Sequence, residues 1–531
     1  MNRIDRRQML QAAALGGAAS LFGIPWSVAA QAARGGVLVV GTTQRARHLN
    51  AAVQSGVATM FPAAQIFASP LRMSADFKPM PFLAERWELS PDNRSVRLHL
   101  RKDAVFHDGR PITAEDVKFS LETIRDNHPF KSMYAPLNAV TIDDPHTAVV
   151  RLSEPHPALL LAMSTSLTPI LPKHVFGDGT DVKVHPRNTS PVGSGPFRLV
   201  EFKPGEVIVM ERFDKFFQKD MPKLDRIIIR EFKDPASLML AFERGEVDLY
   251  SGIVDPRDIA RAKKIPGASV TGNTAPALDS LIWLAFNTKN PKLADKRVRQ
   301  AINFAIDKKA IIDTLLGGVP KRSTGPIASG SPFHTAKVEH YDLNLAKAAQ
   351  LLDAAGLKPG ANGVRMTLEL DAIPGVADMK VAQEYMKPAL AKVGIEVNVR
   401  TSPDFPTWAR RVSTHQFEAT VDSVWNWGDP VIGVHRTWLS SNIRAGVIWS
   451  NTQQYANPKV DELLAAAGKE MDAKKRRAMY EEFQKIVVDD CPVAFLFEAN
   501  YYQGVHGRVK SAPAGIWGVN DALVDTWVAK G

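Results

Sequence analysis

The densest set of side chains able to recognise a small molecule lies in one run, Val424-Trp425-Asn426-Trp427-Gly428-Asp429-Pro430. Ligand pockets are mostly apolar and aromatic, with a few placed polar groups. The two indoles offer broad stacking area and one N–H each; Asn426 offers a donor and an acceptor; Asp429 can hold a cation or hydroxyls. If 418–424 is a strand, Trp425 and Trp427 fall on one face of its extension. Core aromatics produce the same pattern, so residue types alone leave both readings open. Trp425, Asn426, Trp427 and Asp429 are the candidate ligand-binding residues.

No reactive constellation accompanies them. The chain has no His-Glu-x-x-His, no Gly-x-Ser-x-Gly and no paired-cysteine metal spacing. The 13 histidines are scattered. His99 and His107 have no spaced partner and read as strand and turn residues rather than metal ligands. Cys491 is the single cysteine, so no intramolecular disulfide forms; it adjoins the apolar run 493–497 and reads as core. Gly193-Ser194-Gly195 lacks a Walker lysine and completes no Gly-x-Gly-x-x-Gly pattern. Two strands follow it, so its glycines serve backbone geometry. No catalytic residue, metal site or cofactor is expected, and the chain reads as a binder rather than an enzyme.

Elements must position these groups. The length, 531 residues, is that of about three domains. Hydrophobic content of 45% and charged content of 23% are ordinary for a globular chain with ample core. The net charge is +10, but no long Lys/Arg run or basic–aromatic patch points to nucleic acid. In 82–125 the turn cluster Ser90-Pro91-Asp92-Asn93 precedes Val96, Leu98 and Leu100, which alternate with Arg97, His99 and Arg101 as in a half-buried strand. Asp108-Gly109 then reverses the chain. Thr113 caps a helix with Asp116 three residues on and Val117, Leu121 and Ile124 on its apolar face. Further helices are expected at 60–72, after Asp234-Pro235, after Asp295 and Asp307, after Asp342 up to Gly356, over 378–393 with Pro388 inside, after Asn457-Pro458 and after Asp472. Strands are expected at 37–41, 148–152, 281–287, 364–370, 395–399 and 493–497. Strands alternating with helices make an α/β fold.

Residues 1–32 read as an export address. Asp5-Arg6-Arg7-Gln8-Met9-Leu10 is a twin-arginine region, an apolar run follows from Ala12 to Ala30, and small residues near Ala30 offer cleavage. Glycines and Pro25 interrupt that run, and no other apolar run reaches the ~18 residues of a spanning helix. The mature protein is expected to be soluble and periplasmic.

Four ordered segments carry a resemblance. LAERWELSPD with LRKDAVFHDGRPITAEDVKFSLETI, then PVGSGPF, FERGEVDLY and LAFNTKNPKLADKRVRQAINFAIDKKAII, are similar to the bacterial family 5 extracellular solute-binding proteins, the peptide, nickel and related receptors of ABC importers. The resemblance implies a two-lobed periplasmic binding protein of type II with an extra subdomain in lobe one. Lobe one would be 33–280 with the subdomain at about 72–190, lobe two 281–495, and 496–531 a return to lobe one. The chain would cross between lobes near 281–287 and 494–500. The implied function is capture of a peptide or peptide-like solute by hinge closure and delivery to the permease subunits, by a monomer. In peptide receptors of the family a cleft tryptophan is followed by an Asp-Tyr pair whose aspartate holds the peptide amino group. Trp425 and Asp429-Pro430 match that segment; Asn426 and Trp427 replace the pair, leaving Asp429 or Asp422 as substitutes. The rival readings are an exported enzyme and a nickel- or haem-binding member of the same family.

Overall fold

The alternation of 95–100 becomes a strand, Ser95–Leu100, with Val96, Leu98 and Leu100 turned inward. It belongs to a four-stranded antiparallel sheet ordered Ala84–Leu89, Ser95–Leu100, Thr147–Leu152, Leu137–Asp144. Helix Ala114–Asn127 lies on that sheet and buries Val117, Leu121 and Ile124 completely. Its start is fixed as the spacing requires: the Thr113 N–H donates to the Asp116 carboxylate over 2.9 Å. Leu121→Ala removes a fully buried side chain and is expected to cost ~3 kcal/mol, read as a lower urea unfolding midpoint; an unchanged midpoint would mean that this face packs on nothing.

This computed structural model describes residues 35–513 and 515–529. The export signal expected in 1–32 lies outside them.

Two larger sheets frame the molecule. The first has seven strands in the order Ser269–Gly272, Tyr502–Val505, Leu249–Ile253, Val37–Thr42, Arg226–Glu231, Val207–Arg212, Phe197–Lys203. Val37–Thr42 is parallel to both neighbours, and the other pairs are antiparallel. The second has six strands in the order Lys321–Arg322, Val493–Ala499, Ser280–Phe286, Ala419–Trp425, Met366–Ala372, Ile395–Val399. Ser280–Phe286 is buried along its whole length, which explains its unbroken apolar run. Each large sheet has its own main core, so the fold is two-lobed and α/β, and the four-stranded sheet shares the core of the first lobe.

The chain passes between the large sheets at 273–279 and again at 500–501. The first crossing precedes the 281–287 that the resemblance implied, because Ser280–Phe286 pairs along its length within the second sheet; the second begins at Asn500, the last residue of the implied 494–500, once Val493–Ala499 has paired there too.

The Gly193-Ser194-Gly195 turn serves helix Val57–Ile66. The N–H groups of Ser194 and Gly195 donate to the Ile66 carbonyl over 3.0 and 2.8 Å. Any side chain at Gly193 would begin 2.0 Å from that oxygen, so close approach is what the glycine supplies. The helix expected to run to 72 therefore ends at Ile66. His107 locks the turn: its Nδ1 accepts from the Gly193 N–H, and its Nε2 bonds the Gly195 carbonyl. Burial lowers the His107 pKa to about 4, as befits a structural neutral imidazole.

Most expected caps hold their helices: Asp234, Asp295, Asn457 and Asp472 each accept from the first turn. One is displaced. The helix placed after Asp342 runs Leu345–Ala354 with Asn344 as its cap, because Asn344 stands three residues before Lys347 and accepts its N–H over 2.9 Å. Cys491 ends helix Ala473–Asp490 in a left-handed conformation and is fully buried.

Candidate functional site

A cleft of about 1080 Å³, partly open to solvent, lies between the two large sheets. Thr42, Thr43 and Gln44, at the end of the central strand of the first sheet, line one wall. Trp425, the last residue of Ala419–Trp425, lines the other. Asp279 and Tyr501 line the cleft where the chain crosses between sheets.

Trp425 and Tyr501 form one aromatic surface. Their rings stack at 5.3 Å between centroids with 11° between planes. Burial pushes the Tyr501 hydroxyl pKa upward, so it remains a donor at neutral pH. Burial, and then the Glu498 carboxylate, push Asp279 up to about 7. Burial raises Glu498 as well, offset in part by Ser329. Ser329 donates to Glu498 through its N–H over 2.8 Å and its hydroxyl over 2.5 Å. The preceding residue, Ala328, donates its N–H to Asn426 Oδ1 over 2.6 Å. Acceptors from two elements, Glu498 and Asn426, thus strap the loop at 328–329 beside the crossing.

The four sequence candidates separate in space. Trp425 alone lines the large cleft. Asn426 acts as a strut: besides holding Ala328, it donates its own N–H to the Asp279 carbonyl over 3.0 Å. Trp427 does not share a face with Trp425, because the strand ends at Trp425 and Trp427 and Gly428 take left-handed φ of 53° and 75°. Alternation holds only while the backbone is extended. Trp427 instead packs on Phe130 of the first lobe at 4.6 Å between ring centroids. Arg436 covers the same Phe130 ring at 4.6 Å, so one aromatic of lobe one is clasped by two side chains of lobe two. Asp429 is already paired within the protein. Its two oxygens accept from both terminal nitrogens of Arg476, over 2.6 and 2.7 Å, and one also caps the turn at Val431. Asp422 is three residues before Trp425, on the opposite face of the strand, and is buried away from the cleft.

His99 lies on the surface of its strand between Arg86 and Glu88. Among the described residues no three His, Cys, Asp or Glu side chains gather as a metal site, and no helix is long and apolar enough to cross a membrane.

Comparison with known proteins decides the family. The family model for bacterial extracellular solute-binding proteins, family 5, matches residues 78–446. The chain belongs to this family. As a family 5 solute-binding protein it is 28% identical to a putative ABC transporter peptide-binding protein of Brucella ovis, over 82% of each chain. Its fold is similar to that of the periplasmic binding protein DppA from Helicobacter pylori, solved with the peptide STSA. There the TM-score is 0.81 at 22% identity, covering 95% of this chain and all of the other. It is also similar to AgaA from Agrobacterium tumefaciens R10 in complex with agropinic acid, with TM-score 0.79, 25% identity and coverage of 93% and 99%.

For this family 5 protein, sequence reasoning missed Tyr501, Asp279 and the clasp on Phe130. Asp279 and Tyr501 had one available signal: each lies within a few residues of an apolar run, 281–286 or 493–497, where a sheet hands the chain on. Phe130 had none, since its partners are some 300 residues away in sequence.

Proposed function

We propose that this family 5 protein is the exported receptor of an ABC importer, which captures a small organic solute of peptide or peptide-like character and presents it to the permease. The observation that carries the reading is the stacked Trp425–Tyr501 surface in a cleft between two sheets joined by only two crossings. Such a joint allows one lobe to close on the other, and closure removes the aromatic wall from water together with the solute. Ligand then shifts the population toward the closed form by its differential affinity for it. The name of the Brucella ovis relative supports the peptide class.

In this reading Trp425 touches the solute, whereas Asn426, Trp427 and Asp429 act on the joint and the lobe interface. Lobe one is assigned the chain up to the first crossing at 273–279, with the subdomain at about 72–190, and the return after 500–501; lobe two is assigned 280–499. The protein works as a periplasmic monomer without catalysis, sent out by the twin-arginine segment.

Mass spectrometry of whatever co-purifies with the mature protein, followed by calorimetric titration of that solute, tests the reading. Saturable binding without turnover supports it; chemical conversion of the solute overturns it. Trp425→Ala is expected to weaken binding by ~1–3 kcal/mol with the unfolding midpoint little changed. Wild-type affinity in that variant would place the solute elsewhere.

A further inference from the structure

Asp279 borders two spaces at once. It lines the large cleft and also a smaller cavity that Asn426 shares. Asn426 Nδ2 is buried with no hydrogen-bond partner. The charged groups that face Asp279 are Glu498, from strand Val493–Ala499, and Lys321, from the edge strand Lys321–Arg322; the Gly330 backbone N–H also bonds it. Glu498 is itself turned toward Ser329 and acts on Asp279 through charge. Lys321 is solvent-exposed and does not line the cleft. None of the described residues lining the cleft is Lys, Arg or His.

We propose that the cleft selects a positively charged solute, an ammonium or guanidinium, whose charge sits against Asp279 while its adjoining planar or apolar part lies on the Trp425–Tyr501 surface; this rests on the cleft being the binding site proposed above. Two carboxyl groups crowd the crossing, and their mutual repulsion is what a bound cation relieves. The bond to an ionised carboxylate is charge-assisted, so it is among the stronger ones available in a partly dry site. The aromatic faces beside it attract a cation for the same electrostatic reason. A solute carboxylate finds no positive partner among the lining residues and meets Asp279 instead. Between pH 4 and 7 the free protein holds Asp279 largely protonated, so a cation must displace that proton. Cation affinity should therefore rise with pH up to about 7 and level off above it.

The test uses the full mature protein, stripped of bound solute, and defined probes. The cations are phenethylamine, agmatine and phenylalanyl-alanine amide. The controls are N-acetyl-phenylalanyl-alanine amide, which is neutral, and N-acetyl-phenylalanyl-alanine, which is anionic. Calorimetry should find a cation bound roughly tenfold or more tighter than either control. Its affinity should fall by up to roughly tenfold per pH unit below 7. Asp279→Asn keeps an acceptor for Gly330 and should remove both the charge preference and the pH slope. The wild-type pH slope stands as a test even if that variant folds poorly. Controls bound as tightly as cations, a preference that survives Asp279→Asn, or no cation bound at all each overturn the inference. Amines bound with the peptide amide refused would sustain the cation subsite and sink the peptide class. Acetylated peptides bound without charge preference would do the reverse.

Discussion

Replacing Arg476 with methionine is expected to destabilise the protein by ~3–5 kcal/mol. Arg476 and Asp429 are both buried, with side-chain exposures of 5% and 9%. Burial alone would raise the Asp429 pKa; the charge and hydrogen bonds of Arg476, with the Val431 N–H, outweigh it and leave the pKa below the usual range. Arg476→Met deletes that compensation and leaves a carboxylate enclosed by lobe two and by His156 of lobe one, whose own pKa burial lowers. The guanidinium also donates to the Ala467 carbonyl over 3.0 Å and lies 4.7 Å over the Phe333 ring, but methionine keeps most of that packing volume. The loss should therefore come from the unpaired charge. Urea unfolding followed by circular dichroism measures it. The double change Arg476→Met with Asp429→Leu should recover much of the loss, because no charge is then left buried alone. A midpoint unmoved by Arg476→Met would return Asp429 to the list of groups free to meet a solute.

The pair also marks how far the sequence could be read. Local physics was legible where a residue acts on its own neighbours. Thr113 with Asp116, Asp234 with Pro235, and Asn457 with Pro458 start helices as their spacing requires. Val96, Leu98 and Leu100 face inward because alternation places them there. The α/β class followed from those elements, and the two-lobed fold from the family resemblance that the family match bears out.

What was hidden depends on partners distant in sequence, or on a backbone that departs from regularity. Nothing local announces that Asp429 meets a guanidinium 47 residues on. The face assigned to Trp427 failed for a conformational reason: two consecutive left-handed residues break the alternation that relates it to Trp425. Spacing suited Asp429 to a cation, and it does hold one, but the cation belongs to the protein. The aromatic density in 424–430 was a real signal with a divided cause. Trp425 faces the cleft, and Trp427 faces Phe130 of the other lobe.

Asp422→Asn should change the pH profile of stability more than any surface substitution. Asp422 is 2% exposed and stands opposite Trp283 in the antiparallel ladder, with Trp438 5.5 Å from Trp283 between ring centroids. Burial pushes its pKa up to about 7, against smaller opposing effects of the Ser423 N–H, Trp449 and Arg436. In the unfolded chain an aspartate titrates near ~3.9. From pH 4 to 7 the native protein thus keeps a proton that the unfolded chain has released. Asp422 then contributes stability in full below its unfolded pKa, and that contribution is lost as pH rises through the folded one. A gap of ~3 pK units corresponds to ~4 kcal/mol. Asparagine is neutral throughout, so wild type should lose ~4 kcal/mol relative to Asp422→Asn between about pH 4 and about pH 7, with no further change above. The comparison between variants cancels the buried histidines, such as His128 and His435, whose pKa values burial lowers to about 3 and whose effect on stability has the opposite sign. Urea midpoints of the two proteins, taken in small steps from about pH 4 to about pH 8, measure the difference. Parallel curves would mean that Asp422 stays ionised, with the nearby Arg436 guanidinium balancing its charge inside the lobe.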